Sequence, residues 1–309
     1  MQCSNTILMV RPVAFSYNEQ TAENNSFQEK GYEDQAQENA LEEFDNYVKL
    51  LTEAAVNVII AEDTPLPHTP DSIFPNNWFT THGAEETGNG GSTLVLYPMN
   101  APNRRLERDK NVLRTIAEYQ NKTFRQVIDL THFEKEGKFL EGTGSLILDR
   151  KNKIAFCCTS PRTHEDVLEE WAALLDYDYF LFDATDEDGT PIYHTNVMMC
   201  VGVRYAFVCL DAITNLNDRE QLIEILEENG KEIIEITFEQ MHNFAGNMLV
   251  VANNNGELVL VLSATAKSAL TKEQLAKIEK HYQTIVSPKL NYIEKNGGGS
   301  ARCMLAEVF

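Results

Sequence analysis

Short apolar runs along this chain recur in a fixed order, each bounded by polar turns. β-rich runs at 94–97, 154–158, 205–210 and 258–262 each follow a shorter opening strand across a turn. The turns have hairpin chemistry: Asn253-Asn254-Asn255-Gly256 ends in Asn-Gly, and Asp149-Arg150-Lys151-Asn152 is a polar connector of similar length. Helical patterns follow at 105–120, 163–175, 218–228 and 271–283, with caps expected at Thr163 with Asp166, at Asn217, and at Thr271 with Gln274. A further β-type run then leads into the next unit, at 125–130, 179–183, 232–237 and 284–287.

The unit is therefore ββαβ, repeating at about 50 to 65 residues, a period that suits a propeller. A fifth unit is split across the chain ends: 303–309 supplies one strand, 6–13 its partner, and a helix at 35–55 with a strand at 56–61 completes it. Joining both termini in one blade closes the ring and removes exposed sheet edges. The expectation is an α/β fold, a five-bladed α/β propeller around a pseudo-fivefold axis, as a single domain over 1–309; a two-domain α/β arrangement stays open.

Each unit opens on a different polar segment: Phe74-Pro75-Asn76-Asn77, Leu140-Glu141-Gly142, Tyr193-His194-Thr195-Asn196, Ala245-Gly246-Asn247, and Gly298-Gly299-Ser300-Ala301-Arg302-Cys303. If these strand ends converge on the axis, a Cys, a His and a Glu meet there, the components of a covalent catalyst. The glycines before Cys303 let the backbone approach a substrate, and Met304-Leu305-Ala306 anchors the strand in the core; by itself the same loop is equally a linker. A thiolate nucleophile needs stabilising, and Arg302 and a protonated His194 are the expected sources. Taken alone, His194 reads as a structural hydrogen bonder and Glu141 as a strand-end carboxylate. His68, His82 and His132 fall in expected loops and are assigned no role.

Charge narrows the partners. In 309 residues, 47 acidic side chains against 26 basic ones give a formal charge of −21, which argues against nucleic acid and anionic membranes. No apolar run reaches the length of a spanning helix, and Met1-Gln2-Cys3-Ser4-Asn5 lacks a basic leader, so a cytoplasmic protein is expected. Six cysteines show no small-scaffold spacing; all but Cys303 read as buried reduced thiols, with Cys157 and Cys158 on opposite faces of a strand. Seven histidines show no metal-ligand spacing, so neither metal nor cofactor is expected.

Several segments carry a family resemblance: Asp71-Ser72-Ile73-Phe74, Ala101-Pro102-Asn103-Arg104-Arg105, Leu140-Glu141-Gly142, Ser160-Pro161-Arg162-Thr163, Tyr193-His194 and Gly297-Gly298-Gly299-Ser300-Ala301-Arg302-Cys303-Met304. In this order they resemble the guanidino-group-modifying enzymes of the pentein superfamily: dimethylarginine dimethylaminohydrolases, arginine deiminases, amidinotransferases and citrulline-utilisation hydrolases. Arg11-Pro12 and Asn18-Glu19-Gln20-Thr21 are most similar to the last branch. The resemblance implies a pentein propeller with its site on the axis, Cys303 as nucleophile, His194 as general acid and base, and Glu141 as the carboxylate that orients the imidazole. It further implies that Arg162 grips a substrate α-carboxylate, and it puts Asp71, Asn76, Asn77 and Asn247 among the substrate contacts. Asn18, Glu19 and Gln20 form either a lid or a plain loop.

Departures from the family pattern refine the substrate. Asn76-Asn77 stands where many relatives place carboxylates, Glu141-Gly142-Thr143-Gly144 where they continue Glu-Gly-Gly-Asp, and Asn196 where deiminases often carry an Asp. Neutral amides suit a neutral ureido group better than a guanidinium, whose desolvation calls for a counter-ion. The expected partner is a small-molecule amino acid, citrulline first, hydrolysed to ornithine, carbon dioxide and ammonia, with homo-oligomerisation left open. Hydrolysis of arginine or methylarginine and amidino transfer are the alternatives, and a non-catalytic binding protein is a distant one.

Overall fold

The computed structural model describes residues 2–31, 35–121 and 123–309. Among the described residues, fifteen strands form five separate three-stranded sheets, which make the five blades of an α/β propeller. The first blade takes strands from both ends of the chain: β1 (Thr6–Arg11) lies between β2 (Asn57–Glu62), parallel to it, and β15 (Ala306–Glu307), antiparallel to it. Ile7 faces Glu307 and Leu8 faces Ala306, so the termini close the ring as the sequence predicts.

The other blades repeat this order. They are β3 (Phe79–His82), β4 (Thr93–Leu96) and β5 (Gln126–Asp129); β6 (Ile147–Asp149), β7 (Ile154–Cys158) and β8 (Asp178–Phe182); β9 (Met199–Val201), β10 (Tyr205–Val208) and β11 (Glu232–Glu235); and β12 (Leu249–Ala252), β13 (Leu258–Val261) and β14 (Thr284–Val286). In each, the middle strand pairs antiparallel with the strand before it and parallel with the strand after it. Middle strands such as Ile-Ala-Phe-Cys-Cys of β7 are continuous apolar runs because both of their faces are covered.

Helices between the second and third strands of each blade cover the outside. Helix Lys272–His281 starts at Thr271 with the expected capping box to Gln274. Two starts differ from expectation by one to two residues. His164, not Thr163, caps Glu165–Leu175 by accepting the Asp166 N–H, and Asn215 caps Leu216–Glu228 by accepting the N–H of Asn217. Thr163 is instead held in bridges to Leu140 and Ser160. His82 ends strand β3 rather than lying in a loop.

Between each polar opener and its inner strand lies a tight turn that the strand pattern does not foresee: Pro75–Asn77, Gly142–Ser145, Thr195–Met198 and Ala301–Met304 are single helical turns, with a non-helical turn at 243–246. Consequently residues 301–304 are not strand, and β15 is only two residues long. These turns pack on one another around the axis. Asn76 Nδ2 donates to Thr143 Oγ1 (3.3 Å), Asn196 Nδ2 to the Thr143 carbonyl (3.2 Å), Asn247 Nδ2 to the Asn196 carbonyl (3.0 Å), and the Arg302 N–H to Asn247 Oδ1 (2.9 Å). The approach is close enough that a Cβ on Gly142 would collide with the Asn76 carbonyl, at a backbone φ of +44° that also favours glycine.

Tyr47 on helix Ala36–Glu53 donates to the Ala301 carbonyl at 3.1 Å, so the long helix of the split blade buttresses the Cys303 turn directly. All six cysteines are buried and unpaired. Among the described residues no helix is long and apolar enough to cross a membrane.

Candidate active site

The axial turns bring Glu141, His194 and Cys303 to one end of the axis. Each comes from a different blade. His194 Nε2 lies 2.9 Å from Glu141 Oε2; a carboxylate only accepts, so Nε2 carries the proton and Nδ1 is left as the basic nitrogen. Glu141 is gripped on both oxygens. Oε1 accepts the Asn100 N–H at 2.9 Å and Oε2 also faces Arg162 Nη1 at 3.5 Å.

Burial pushes His194 down to about 4, although the hydrogen bond and charge of Glu141 pull the other way. Burial alone would raise Glu141, but the charge of Arg162, the His194 hydrogen bond and Arg104 together hold it down at about 2. The resting pair is therefore a carboxylate and a neutral imidazole. Gly144 separates Asn77 from this ring; a Cβ there would lie 2.7 Å from the imidazole.

Cys303 occupies the turn Ala301–Met304, its N–H bonded to the Ser300 carbonyl at 3.0 Å. Its sulfur faces two amides, Asn247 Nδ2 at 3.2 Å and Asn196 Nδ2 at 3.5 Å. The two cations expected to stabilise it make no hydrogen bond to it. Arg302 points away, donating to the Leu305 carbonyl at 2.8 Å and facing Glu307 at 3.9 Å, and His194 is neutral.

The remaining candidates line the same pocket, except two. Asp71 is buried, and burial raises it; Oδ2 accepts from Asn18 Nδ2 (2.8 Å) and Thr21 Oγ1 (2.9 Å), while Oδ1 has no partner. Asn77 Oδ1 accepts from Arg104 Nη1 at 2.6 Å, and its Nδ2 is unpartnered. Arg104 is itself fixed by Glu107 at 2.7 Å. Arg162 donates to Asn24 Oδ1 from Nε at 2.8 Å and to the Thr21 carbonyl at 2.8 Å, and its guanidinium lies over the Tyr193 ring. Asn76 and Asn247 belong to the axial ring beneath the pocket; all three polar bonds of Asn247 are made within the protein.

Residues 18–28 close the site. Asn18 and Thr21 bond Asp71, Thr21 and Asn24 bond Arg162, and Gln28 Nε2 bonds the Asn296 carbonyl at 2.9 Å across the entrance. Phe27 packs beside Tyr193 and Phe244. Of the three residues expected to form a lid or a loop, Asn18 touches Asp71, Gln20 accepts the Asn103 N–H, and Glu19 is exposed. With this cover down, about 10 Å³ of space remains, room for about one water. Asn24 was not singled out from the sequence; Thr21 and Arg104 lie in segments that carry the resemblance, and Asn196 was read only as a departure from the family pattern.

The profile of the family described as N,N dimethylarginine dimethylhydrolase, eukaryotic, matches residues 11–309. The chain belongs to that family. That family belongs to the guanidino-modifying enzymes of the pentein superfamily, hydrolases that act through a cysteine nucleophile.

Solved structures agree on the fold. The N-terminal domain of ArgZ, an arginine dihydrolase of cyanobacteria, with a reaction intermediate covalently bound, superposes with a TM-score of 0.73 at 20% identity, covering 98% of this chain and 97% of that one. Unliganded AgrE gives 0.73 at 20% identity, covering 98% of this chain but only 39% of its own length. DDAH from Pseudomonas aeruginosa, as a Cys-to-Ser mutant in complex with citrulline, gives 0.65 at 13% identity over the whole of both chains. Among curated protein sequences no relative matches.

Proposed function

We propose that this dimethylarginine dimethylhydrolase family member hydrolyses a ureido amino acid, citrulline first, to ornithine, carbon dioxide and ammonia. The observation that carries the reading is the lock on Asn77. Arg104 can only donate, so Asn77 Oδ1 must be its acceptor, and the unpartnered Nδ2 is a hydrogen-bond donor at the pocket wall. A ureido oxygen accepts such a bond. A guanidinium offers only N–H groups there and leaves two donors opposed.

Asp71 and Arg162 supply one anion and one cation for the ammonium and carboxylate of the amino acid head, and the closing segment 18–28 bonds to both. In the reaction the Cys303 thiol passes its proton to the neutral imidazole of His194. Its sulfur forms a C–S bond to the ureido carbon while the terminal C–N bond breaks, and the imidazolium returns the proton to the departing ammonia. Glu141 stabilises that imidazolium. The imidazole next takes a proton from water, which attacks the S-bound carbonyl; the C–S bond breaks, the thiol recovers its proton, and the carbamate released falls apart to ornithine and carbon dioxide.

Guanidino hydrolysis is the second reading, and the free Oδ1 of Asp71 favours it by offering an acceptor to a cationic substrate. The two are separated by measuring kcat/KM for citrulline, arginine and methylarginine, with ornithine and ammonia quantified. Citrulline is expected to lead, and Asn77→Asp, which turns the donor into an acceptor, is expected to shift the preference at least about tenfold toward arginine. Arginine as the better substrate of the unaltered protein rejects the ureido reading. A requirement for an amine acceptor would mark a transferase.

A further inference from the structure

The sulfur of Cys303 sits in a buried turn where, among the described residues, no cation is hydrogen-bonded to it: Arg302 donates to Leu305 and faces Glu307, and His194 is neutral. What does face it is fixed by the axial ring. Asn247 Oδ1 accepts the Arg302 N–H, which settles which end of that amide is nitrogen; one of its N–H groups goes to the Asn196 carbonyl, and the other is left for Sγ at 3.2 Å. Asn196 repeats the arrangement. One N–H is held by the Thr143 carbonyl, an acceptor only, and the second points to Sγ at 3.5 Å. Two locked donors converge on one sulfur, and both sit at the axial ends of successive blades, where contacts between the blades set their aim.

We propose that Asn196 and Asn247 are positioning residues that form a two-amide cradle for the Cys303 thiolate. The inference rests on the reading of Cys303 as nucleophile. An N–H bond to an anion is shorter and roughly twice as strong as one to a neutral acceptor, so both amides bind the thiolate more tightly than the thiol and favour release of its proton. That proton goes to bulk water in the resting enzyme and to the His194 imidazole during turnover. The departure at position 196 acquires a reason: an Asp there would have no N–H to give and would set a negative charge beside the sulfur.

The test is the pH dependence of iodoacetamide alkylation of the full chain, with the adduct located by mass spectrometry. The unaltered protein is expected to be alkylated at Cys303 first. Asn247→Ala and Asn196→Ala should each move the midpoint of the alkylation profile up by about one to two pH units, the worth of a hydrogen bond to a charged group, and the nearly isosteric Asn196→Asp should move it further. Turnover lost at neutral pH should recover at higher pH, which a merely structural defect would not do. Circular dichroism identifies the folded variants, and Asn196→Asp keeps the test open if Asn247→Ala does not fold. Unmoved midpoints in folded variants overturn the cradle alone; turnover that survives Cys303→Ala overturns the nucleophile reading and the cradle with it. Alkylation needs no substrate, so the result stands whichever ureido or guanidino compound is hydrolysed.

Discussion

Two buried clusters in this protein have the same three residue types and opposite roles. At the axis, Glu141 joins His194 at 2.9 Å and Arg162 at 3.5 Å. On the outer side of the Phe79–His82 strand, Glu86 joins His82 at 2.6 Å and Arg150 at 3.1 Å. Burial pushes both imidazoles down, and in both cases neighbouring cations pull the carboxyl below its ordinary range against the burial that would raise it.

The difference lies in what is left over. His82 has both nitrogens engaged, Nδ1 with Glu86 and Nε2 with Thr80 Oγ1 at 2.9 Å, while Tyr177 takes a further Glu86 bond and Arg150 reaches Glu307 at 3.5 Å. That cluster ties three blades together. His194 has a protein partner only at Nε2 among the described residues, and the pocket beside it holds Cys303. A triad composition marks a site only where a lone pair and a reacting atom remain unclaimed.

The comparison breaks most visibly at the histidines. Cys303→Ala and His194→Ala are expected to lower kcat/KM by about a thousandfold or more, a loss of turnover in protein that still folds. His82→Ala should do the reverse: turnover within a few fold of the unaltered protein, and stability to urea lower by about 2 to 4 kcal/mol, because the change opens a cavity and strips bonds from Glu86 and Thr80. A folded His82→Ala protein without activity would show that the outer cluster serves catalysis.

The carboxylates give the next largest contrast. Glu141→Gln keeps the shape but not the charge that orients the imidazole and stabilises its protonated form, and about a hundred- to ten-thousandfold loss in kcat is expected. Glu86→Gln leaves Arg150 partly unpaired in the interior, and about 3 kcal/mol of stability should go while kcat holds. Steady-state kinetics and chemical unfolding on the same preparations separate the two.

The outer and inner layers of the molecule were unequally legible in the sequence. The ββαβ period, the split blade and the capping box at Thr271 follow from local pattern, and β7 falls at residues 154–158 as expected. The helix starts at His164 and Asn215 were displaced because the side chain that accepts the first N–H sits a residue or two from the position the pattern favours. The axial turns were not legible, since they are imposed by contact between blades, as at Gly142 against Asn76. Cys303, His194 and Glu141 came from motif order, but the direction of Arg302 did not, because adjacency along the chain does not set where a side chain points. Asn24 carried no signal, and Thr21 entered only within a family motif without its contact, since their partners Arg162 and Asp71 lie 138 and 50 positions away.

Acid titration tests what the clusters share. His194 protonates near 4 in the folded chain but near 6.5 when unfolded, so between those values only the unfolded chain binds the proton, and stability falls as pH drops through that window. His194 alone is expected to remove about 2 kcal/mol between pH 7 and pH 5. Glu141, held at about 2, contributes stability that is lost below 4.5 as pH falls toward 2. In His82→Gln the slope between pH 6.5 and 4 should be shallower but still present, because His194 remains. A slope that vanishes would assign the whole effect to the outer cluster.

The smallest expected effect is the most pointed. Thr80→Val removes the partner of His82 Nε2, and with it the bond from Thr80 Oγ1 to the Tyr97 hydroxyl at 2.7 Å, so about 1 to 2 kcal/mol of stability should be lost. The bonding of His82 would then match that of His194: one carboxylate on one nitrogen, nothing on the other. Turnover should not change, and diethylpyrocarbonate should react with His82 no faster than before, because that ring remains fully buried. Faster modification of His82 in Thr80→Val would mean that a freed lone pair alone is enough to make such a cluster reactive; an unchanged rate would leave the pocket, with the sulfur inside it, as what distinguishes the two histidines.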